Sequence, residues 1–439
     1  MNIDSNALLG GRTSSAPPVR IVHLGLGAFH RSHQAWYTAR SSDAAEWGIA
    51  AHSGRSAALA DALTAQDCLY TLVVRSPQGD SDERIDSIVR AHPGSALGPF
   101  LVDLAAPETA IVTLTITEAA YADPDMSVDR DALAGLSPDG DLGAQRPVSA
   151  LGRLVLGLEA RRRAAAPPIA VVSCDNLPDN GGVLRRAVME LAAPVAGLSA
   201  WIMANVSFVS SSVDRITPRV DAEEASALRS RLGDRAPVVT EPFADWVLEG
   251  VFPAGRPDWE SAGARVVDDL EPWEARKLWL LNGAHTLLAS LGQLRGHREV
   301  AEAIADDECR RAVEAYWDEA CQHLPDRMDL AGYRAALLER FANPRIVHLL
   351  SQIALDASTK MRVRIVPVAL RERRAGRSAR GCATAVAAWL ALEQGAGDTG
   401  SEGDIDSRLR VLSAELADDD EFVEAVHEAF ASFSTLTLR

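Results

Sequence analysis

Over the first 210 residues, apolar positions gather into short runs separated by segments of helical period. VRIVHLG (residues 19–25) is β-branched and ends in glycine, the pattern of a strand running into a turn. A helix is expected to start near His30 and run through HQAWYTARSS. WGIAAHS follows as a second strand, then a helical ALADALTAQD, then LYTLVVR as another strand. AIVTLTIT (110–117) and PIAVVSC (168–174) carry no charge and read as buried strands, with ANVSFVS (204–210) a further candidate. Strands alternating with helices predict an α/β fold with a parallel, doubly wound sheet. Residues 122–148, rich in Asp, Gly and Pro, read as an excursion from that core.

From about residue 271 the strand signals nearly stop. EPWEARKLWLLNGAHTLLASLGQL, EVAEAIADDECRRAVEAYWDEACQHL, LAGYRAALLERF and RIVHLLSQIALDAS place apolar residues at helical spacing. ATAVAAWLALEQ and DEFVEAVHEAFASF continue it, and GAGDTGSEGDID between them reads as a flexible turn of low complexity. The pattern predicts a flexible leader over residues 1–18, an α/β domain over 19–270 and a mostly α-helical domain over 271–439. No internal repeat appears.

Composition narrows the function classes. A chain of 439 residues with 47% hydrophobic and 24% charged side chains fits a soluble protein of about two domains. The net charge of −17 argues against nucleic acid or an anionic membrane as partner, but leaves room for an anionic small molecule in a local arginine pocket. No apolar run of about 18 residues is present, so no transmembrane helix is expected. The N-terminus lacks the basic and apolar regions of a signal peptide. Five widely spaced cysteines without a CxxC pair suit reduced thiols in the cytoplasm, with no structural zinc.

Candidate chemistry sits in two places. The first strand runs into GLGAFHR, where Gly25 and Gly27 allow a tight turn and close approach of a pyrophosphate. Ala28 and Phe29 then open a helix whose N–H groups can face the phosphates. His30 stands where a dinucleotide fingerprint often carries its third glycine, which implies looser helix–strand packing. The end of the second strand, AAHSGRS, has Ser53, Arg55 and Ser56 and no acid. A carboxylate there would select NAD through the ribose 2′-OH, whereas Arg55 either accepts the 2′-phosphate of NADP or points to solvent. Thr117 and Glu118 end the TLTITE strand, where a doubly wound sheet binds its ligand, or are ordinary strand-to-loop polar residues.

The second place is KLWLLNGAH. Of the 44 Lys and Arg side chains, only Lys277 and Lys360 are lysine. Arginine serves for surface charge and salt bridges, but its guanidinium does not release a proton at physiological pH. A lysine kept in so arginine-biased a chain hints at acid–base or covalent chemistry, unless it is simply a surface position.

Several stretches also occur in a telling order: GLGAFHRSHQAWYT, QDCLYTLV, TLTITEAAY, SCDNLPDNG, SSSVDRITP, EPFADWV, KLWLLNGAH and DASTKMRVR. Together they resemble the mannitol dehydrogenase and fructuronate reductase family, the polyol-specific long-chain dehydrogenases, over about residues 19–370. The K-x4-N-x2-H set is that family's catalytic signature. The resemblance implies a Rossmann-like first domain and metal-independent oxidation of a secondary alcohol to a ketone, with hydride passing to NAD or NADP and NAD favoured. It implies Lys277 as general base, Asn176 and Asn282 as an oxyanion hole, His285 as a substrate-positioning residue and Glu274 as a proton relay. Asp214 is expected in a supporting role on the substrate side, with Lys360 and Arg364 beside it, Arg364 serving hydroxyls or a carboxylate.

Elementary chemistry agrees. Alcohol oxidation by hydride transfer must also remove the hydroxyl proton, so a base is needed beside the reacting oxygen. A lysine titrates near 10.4 in water, and desolvation with a nicotinamide cation nearby would bring it into a useful range. Two asparagine amides meet the developing negative charge without titrating. In a straight α-helix Lys277 and His285 stand about 12 Å apart along the axis, and Lys277 and Asn282 diverge by about 140°. Lys277 and Asn282 reach one oxygen only if the helix is distorted, and Gly283 is the expected place.

Three departures from the family pattern bear on substrate more than on reaction class. Arg362 stands where the family has proline, Ala120 where glycine is common, and serines in SSSVDRITP where asparagine and methionine are common. The expected substrate pairs are D-mannonate/D-fructuronate or D-mannitol/D-fructose, with GLGAFHRSHQAWYT and QDCLYTLV closer to the fructuronate reductase branch. The expected protein is cytoplasmic and either a monomer or a small homo-oligomer. The competing expectation is a regulatory protein that binds NAD(P) on the same fold without turnover.

Overall fold

A computed structural model describes residues 10–12, 14–54, 56–121, 125–137, 140–394 and 402–433. The chain divides into two compact units, Met1–Leu270 and Glu271–Arg439.

The strands of the first unit are β1 (Val19–Leu24), β2 (Gly48–His52), β3 (Tyr70–Ser76), β4 (Gly79–Ile85), β5 (Ile88–His92), β6 (Ile111–Leu114), β7 (Ile169–Ser173), β8 (Val206–Asp214), β9 (Val238–Thr240), β10 (Asp245–Glu249) and β11 (Arg265–Val267). Eight of them form one sheet in the order β5-β2-β1-β6-β7-β8-β10-β11. The pairs from β5 across to β8 are all parallel. Numbered by appearance, these six strands run 3-2-1-4-5-6, the order of dinucleotide-binding sheets. The strand order therefore reverses between β1 and β6, and a ligand crevice is expected outside their carboxyl ends.

The period-two pattern explains the two layers. Ile21, Ile111, Ala170 and Val172 belong to one apolar cluster, with Tyr37 and Leu63 from the helices on that face. Their neighbours Val22, Leu24, Val112, Leu114, Ile169 and Val171 belong to the other, with Leu104, Leu154 and Val188. Both faces are covered, so these strands read as continuous apolar runs.

LYTLVVR is a strand, but it lies in a second, three-stranded sheet ordered β4-β3-β9 and not in the main one. Its hairpin partner GDSDERI is mostly solvent-exposed and polar, which hid it from a search for apolar runs. The helix expected at His30 starts at Ala28, breaks at His33 and resumes over Gln34–Arg40. Within the excursion, Asp125–Ala134 is helical and packs against helix Ala150–Arg163. In the leader, Arg12 donates to the carbonyls of Asp86 (2.7 Å) and Ile88 (2.5 Å), while residues 1–9 and 13 lie outside the described residues.

The second unit is helical. Helix Ala284–Leu294 packs against Arg380–Gln394, Asp307–Cys321 and Leu350–Ile353. Arg380–Gln394 packs in turn against Asp420–Phe433. Of GAGDTGSEGDID, residues 395–401 lie outside the described residues, and a helix already begins at Glu402. No helix among the described residues is long and apolar enough to cross a membrane.

Candidate active site

In the first unit, the loop after β1 is built around Gly25. Its φ of +108° is one that side chains rarely adopt, and a Cβ there would lie 2.2 Å from the carbonyl oxygen of Thr115. Thr115 Oγ1 donates to Gly25 O at 2.8 Å, so the loop is fastened to the end of β6. The N–H groups of Gly25 and Leu26 both go to His52 O at 3.0 Å, fastening it to β2 as well. That leaves the first-turn N–H groups, from Gly27 through Ala28 and Phe29, for a ligand. A Cβ on Gly27 would meet only Gly25 O, at 3.5 Å. The space over Gly27 is open, as a pyrophosphate needs, and the loop fits a dinucleotide.

His30 does not loosen the packing behind this loop. Its ring is fully buried and stacks on His23, with centroids 3.3 Å apart and planes 8° from parallel. The imidazole pair fills the space that the missing glycine leaves. Burial holds both rings neutral: His23 is lowered to about 3 and His30 falls well below the ordinary value. The short helix Ala28–Ser32 is then clamped from outside. Arg31 donates to Ala236 O and Gly27 O, and Arg215 donates to Ser32 O (2.6 Å) and Glu241 O. Arg215 of SSSVDRITP thus acts here by positioning the helix behind the glycine loop, which sequence reasoning did not find.

Asn176 stands exposed on the loop just after β7. Asp175 shapes that loop, accepting from Tyr121 Oη and Ser173 Oγ at 2.6 Å and from the Leu177 N–H at 3.0 Å. Asn180 ties it to β8, donating to Ser211 O at 2.7 Å and accepting from the Ser211 N–H at 2.9 Å. Asp175 and Asn180 were also missed, although both lie inside SCDNLPDN. Thr117 is exposed beyond the carboxyl end of β6, on the ligand side of the sheet. Asp214 is buried at the end of β8, paired in register with Asp245 of β10. Arg55 and the side chain of Glu118 lie outside the described residues.

In the second unit, helix Glu271–Arg276 carries Glu274 and runs into a π-helical turn over Lys277–Gly283, followed by the α-helix Ala284–Leu294. The distortion expected near Gly283 is present and spans KLWLLNG. A π turn holds more residues per revolution than an α-turn, so the five-residue step from Lys277 to Asn282 overshoots a full revolution by less than the roughly 140° of an α-helix. The turn is held by its neighbours. Trp317 Nε1 donates to Leu280 O at 2.7 Å. Asn282 O accepts from Thr286 Oγ1 (2.9 Å) and Arg364 Nη1 (3.3 Å). Gly283 faces the buried ring of Tyr316, whose hydroxyl would stand 2.3 Å from a Cβ.

His285 lies one α-turn beyond Asn282, buried against Phe341 (centroids 4.7 Å) and His348 (4.9 Å). Its Nε2 is buried without a hydrogen-bond partner, and burial, with His348, Arg340 and Arg364 nearby, holds its pKa well below the ordinary value. Lys277 and Asn282 are partly buried. Arg364 reaches this helix directly, whereas Arg362 turns to Val411 O at 2.9 Å. Lys360 spends its amine on the carbonyls of Ile353 (2.8 Å) and Leu355 (2.5 Å), closing the short helix Leu350–Ile353, and desolvation lowers its pKa. One grouping with metal-ligand spacing occurs among the described residues, His297, Asp306 and Cys309. There Asp306 already accepts from Arg295 and His297 and caps helix Asp307–Cys321.

Residues 19–261 match the Mannitol dehydrogenase Rossmann domain family, and residues 269–437 match the Mannitol dehydrogenase C-terminal domain family. The D-mannonate oxidoreductase of Escherichia coli (strain K12) is 38% identical over 400 residues, which are 88% of this chain and 82% of that protein. A D-sorbitol dehydrogenase in substrate-free form superposes with a TM-score of 0.86 at 29% identity, over 97% of this chain and 95% of that one. The Pseudomonas fluorescens mannitol 2-dehydrogenase in ternary complex with NAD and D-mannitol superposes with a TM-score of 0.73 at 31% identity, over 95% and 92%. With a dinucleotide-type sheet, an open glycine cradle and both families covering nearly the whole length, the chain belongs to the mannitol dehydrogenase family and is an NAD(P)-dependent enzyme of that polyol dehydrogenase family, acting on CH–OH donors.

Proposed function

We propose that the protein interconverts a secondary alcohol and a ketone on a sugar acid or sugar alcohol with Lys277 as general base and without a catalytic metal. The observation that supports this reading is the π turn over Lys277–Gly283, because its wider winding narrows the angle that an α-helix would open between the candidate base and the candidate oxyanion donor. Gly25 and Gly27 would hold NAD or NADP, which would supply the acceptor for the hydride of the alcohol carbon. Lys277 takes the hydroxyl proton. The amides of Asn282 and Asn176 donate to the oxygen as negative charge builds on it, the task a Lewis acid would otherwise perform. His285, kept neutral by burial, orients the substrate through a hydrogen bond without adding charge. Glu274, three residues before Lys277, passes the proton on, and Asp214 supports the substrate side. The substrate pairs are D-mannonate/D-fructuronate or D-mannitol/D-fructose.

The test is Lys277→Met, followed at 340 nm with NADH or NADPH and a panel of ketoses and keto-acids. Turnover should fall roughly 10²- to 10⁴-fold, the usual worth of a positioned base, while cofactor binding persists. Unchanged turnover with an unchanged pH profile would remove Lys277 from the role.

A further inference from the structure

We infer that the substrate is a sugar acid, and that Arg364 holds its carboxylate on the edge of the guanidinium formed by Nε and Nη2. The inference rests on the placing of substrate beside the Lys277 helix proposed above. Arg364 ends helix Ala357–Arg364, and only its Nη1 is engaged, by Asn282 O at 3.3 Å and Thr286 Oγ1 at 2.9 Å. Both acceptors are neutral. Nε is buried with no hydrogen-bond partner, and among the described residues no carboxylate pairs with this arginine. The charged group it bears on, Lys360, is of like sign, and its own burial works against its charge.

Two arginines elsewhere in the chain show a different use. Arg161 spends Nε, Nη1 and Nη2 on the carbonyls of Pro167, Leu104, Ala106 and Thr109. Arg215 likewise spends all three nitrogens on Ser32 O and Glu241 O. Arg153, with Nη1 on the carbonyls of Ser53 and Gly94 and Nε buried without a partner, shows that an open edge alone does not mark a ligand site; at Arg364 the open edge stands beside the candidate site. A partly buried cation without a counter-charge is costly, and an arriving anion removes that cost. A carboxylate matches the planar fork with two parallel hydrogen bonds. His285 Nε2, buried and unpartnered nearby, is neutral and so suits a hydroxyl. One fixed cation beside one neutral imidazole fits a chain with a carboxylate at one end and hydroxyls along it. A neutral polyol would leave the arginine unpaired.

The experiment compares matched pairs on the wild-type enzyme with NADH or NADPH, each pair a keto-acid and a ketose of one configuration: D-fructuronate against D-fructose, D-tagaturonate against D-tagatose. For the pair turned over best, kcat/KM should favour the acid by roughly 100-fold or more, as the loss of a charge-assisted bidentate pair implies. Arg364→Met should bring that ratio close to one, and Arg364→Lys should restore part of it. Turnover confined to ketoses, a wild-type ratio of one or below, or a ratio that Arg364→Met leaves unchanged would overturn the inference. The wild-type ratio decides even if a variant does not fold. Failure of the general-base reading shows separately, as turnover that survives Lys277→Met on whichever substrate is used.

Discussion

Gly283→Ala is a stringent probe of the π turn. Glycine inside a helix ordinarily costs about 1 kcal/mol relative to alanine, so an open site would make this substitution stabilising. The structure argues the reverse. The new Cβ would stand 2.3 Å from Tyr316 Oη, 2.7 Å from Cε1 and 2.8 Å from Cζ. The ring cannot simply retreat. Tyr316 is fully buried, its main chain is already so close to Gly381 that a Cβ there would lie 2.8 Å from Tyr316 N, and its hydroxyl donates to Arg364 O at 3.0 Å. Overpacking of this kind costs about 1–3 kcal/mol, and losing the tyrosine hydrogen bond adds about 1 kcal/mol. Set against the propensity gain of about 1 kcal/mol, the variant should be less stable by roughly 1–3 kcal/mol. Relief comes most readily from the turn itself, so kcat should fall with stability. Urea unfolding of the full chain measures the first quantity, and 340 nm turnover well below the unfolding midpoint measures the second. Tyr316→Phe in the same background should recover only part of the stability, since the contact with Cε1 remains. A variant as stable as wild type, or more so, would refute the packing argument. Normal kcat in a destabilised variant would refute the link from turn to catalysis.

Two further outcomes are expected. Gly25→Ala should weaken NADH or NADPH binding by more than about 100-fold in a fluorescence titration, because it combines a forbidden φ with a Cβ 2.2 Å from Thr115 O; a variant with wild-type affinity would mean that the loop is not the phosphate cradle. Stability should also fall on acidification: His23, held near 3, and His30 and His285, held well below the ordinary value, resist protonation when folded, whereas each titrates near 6.5 when unfolded. The unfolded chain thus binds more protons in between, so this stability is complete above about pH 6.5 and is lost below it at up to about 1.4 kcal/mol per pH unit for each ring. For His23 the loss continues to about pH 3; urea midpoints that stay constant from pH 7.5 to 5 would contradict the burial argument.

What the sequence revealed depended on where apolar side chains had to go. The central strands of the main parallel sheet bury both faces, so AIVTLTIT and PIAVVSC stand out as uncharged, mostly apolar runs. GDSDERI has little apolar surface to announce it, and its partner LYTLVVR was therefore assigned to the wrong sheet. Register and sheet membership are set by tertiary pairing, which a run of seven residues does not encode. The same limit held at the site. Gly25 and Gly27 could be read because glycine is required by backbone geometry. The residues that aim the loops, Arg31, Arg215, Asp175 and Asn180, work through carbonyls and hydroxyls far along the chain. Nothing local in the sequence marks such a partner.

The spacing of the K-x4-N-x2-H set gains a physical meaning from the helix that carries it. A straight α-helix would set its first two members about 140° apart, and no single side-chain rotation closes that gap comfortably. The set is instead written in two periods. The five-residue step from Lys277 to Asn282 falls closer to a full revolution in the wider π turn than in an α-helix, and the three-residue step from Asn282 to His285 matches one face of the α-helix that follows. A π turn is costly because it misaligns backbone bonds, and here the cost is offset by Trp317 and Arg364, which serve the carbonyls of Leu280 and Asn282. The tyrosine that needs Gly283 to be glycine also holds the carbonyl of Arg364. The residue proposed to read the substrate's charge and the turn proposed to perform its chemistry therefore share one set of supports. A change in Arg364 should disturb Asn282 as well as the carboxylate, so the ratio between acid and neutral substrates is the informative quantity, not the rate on either alone.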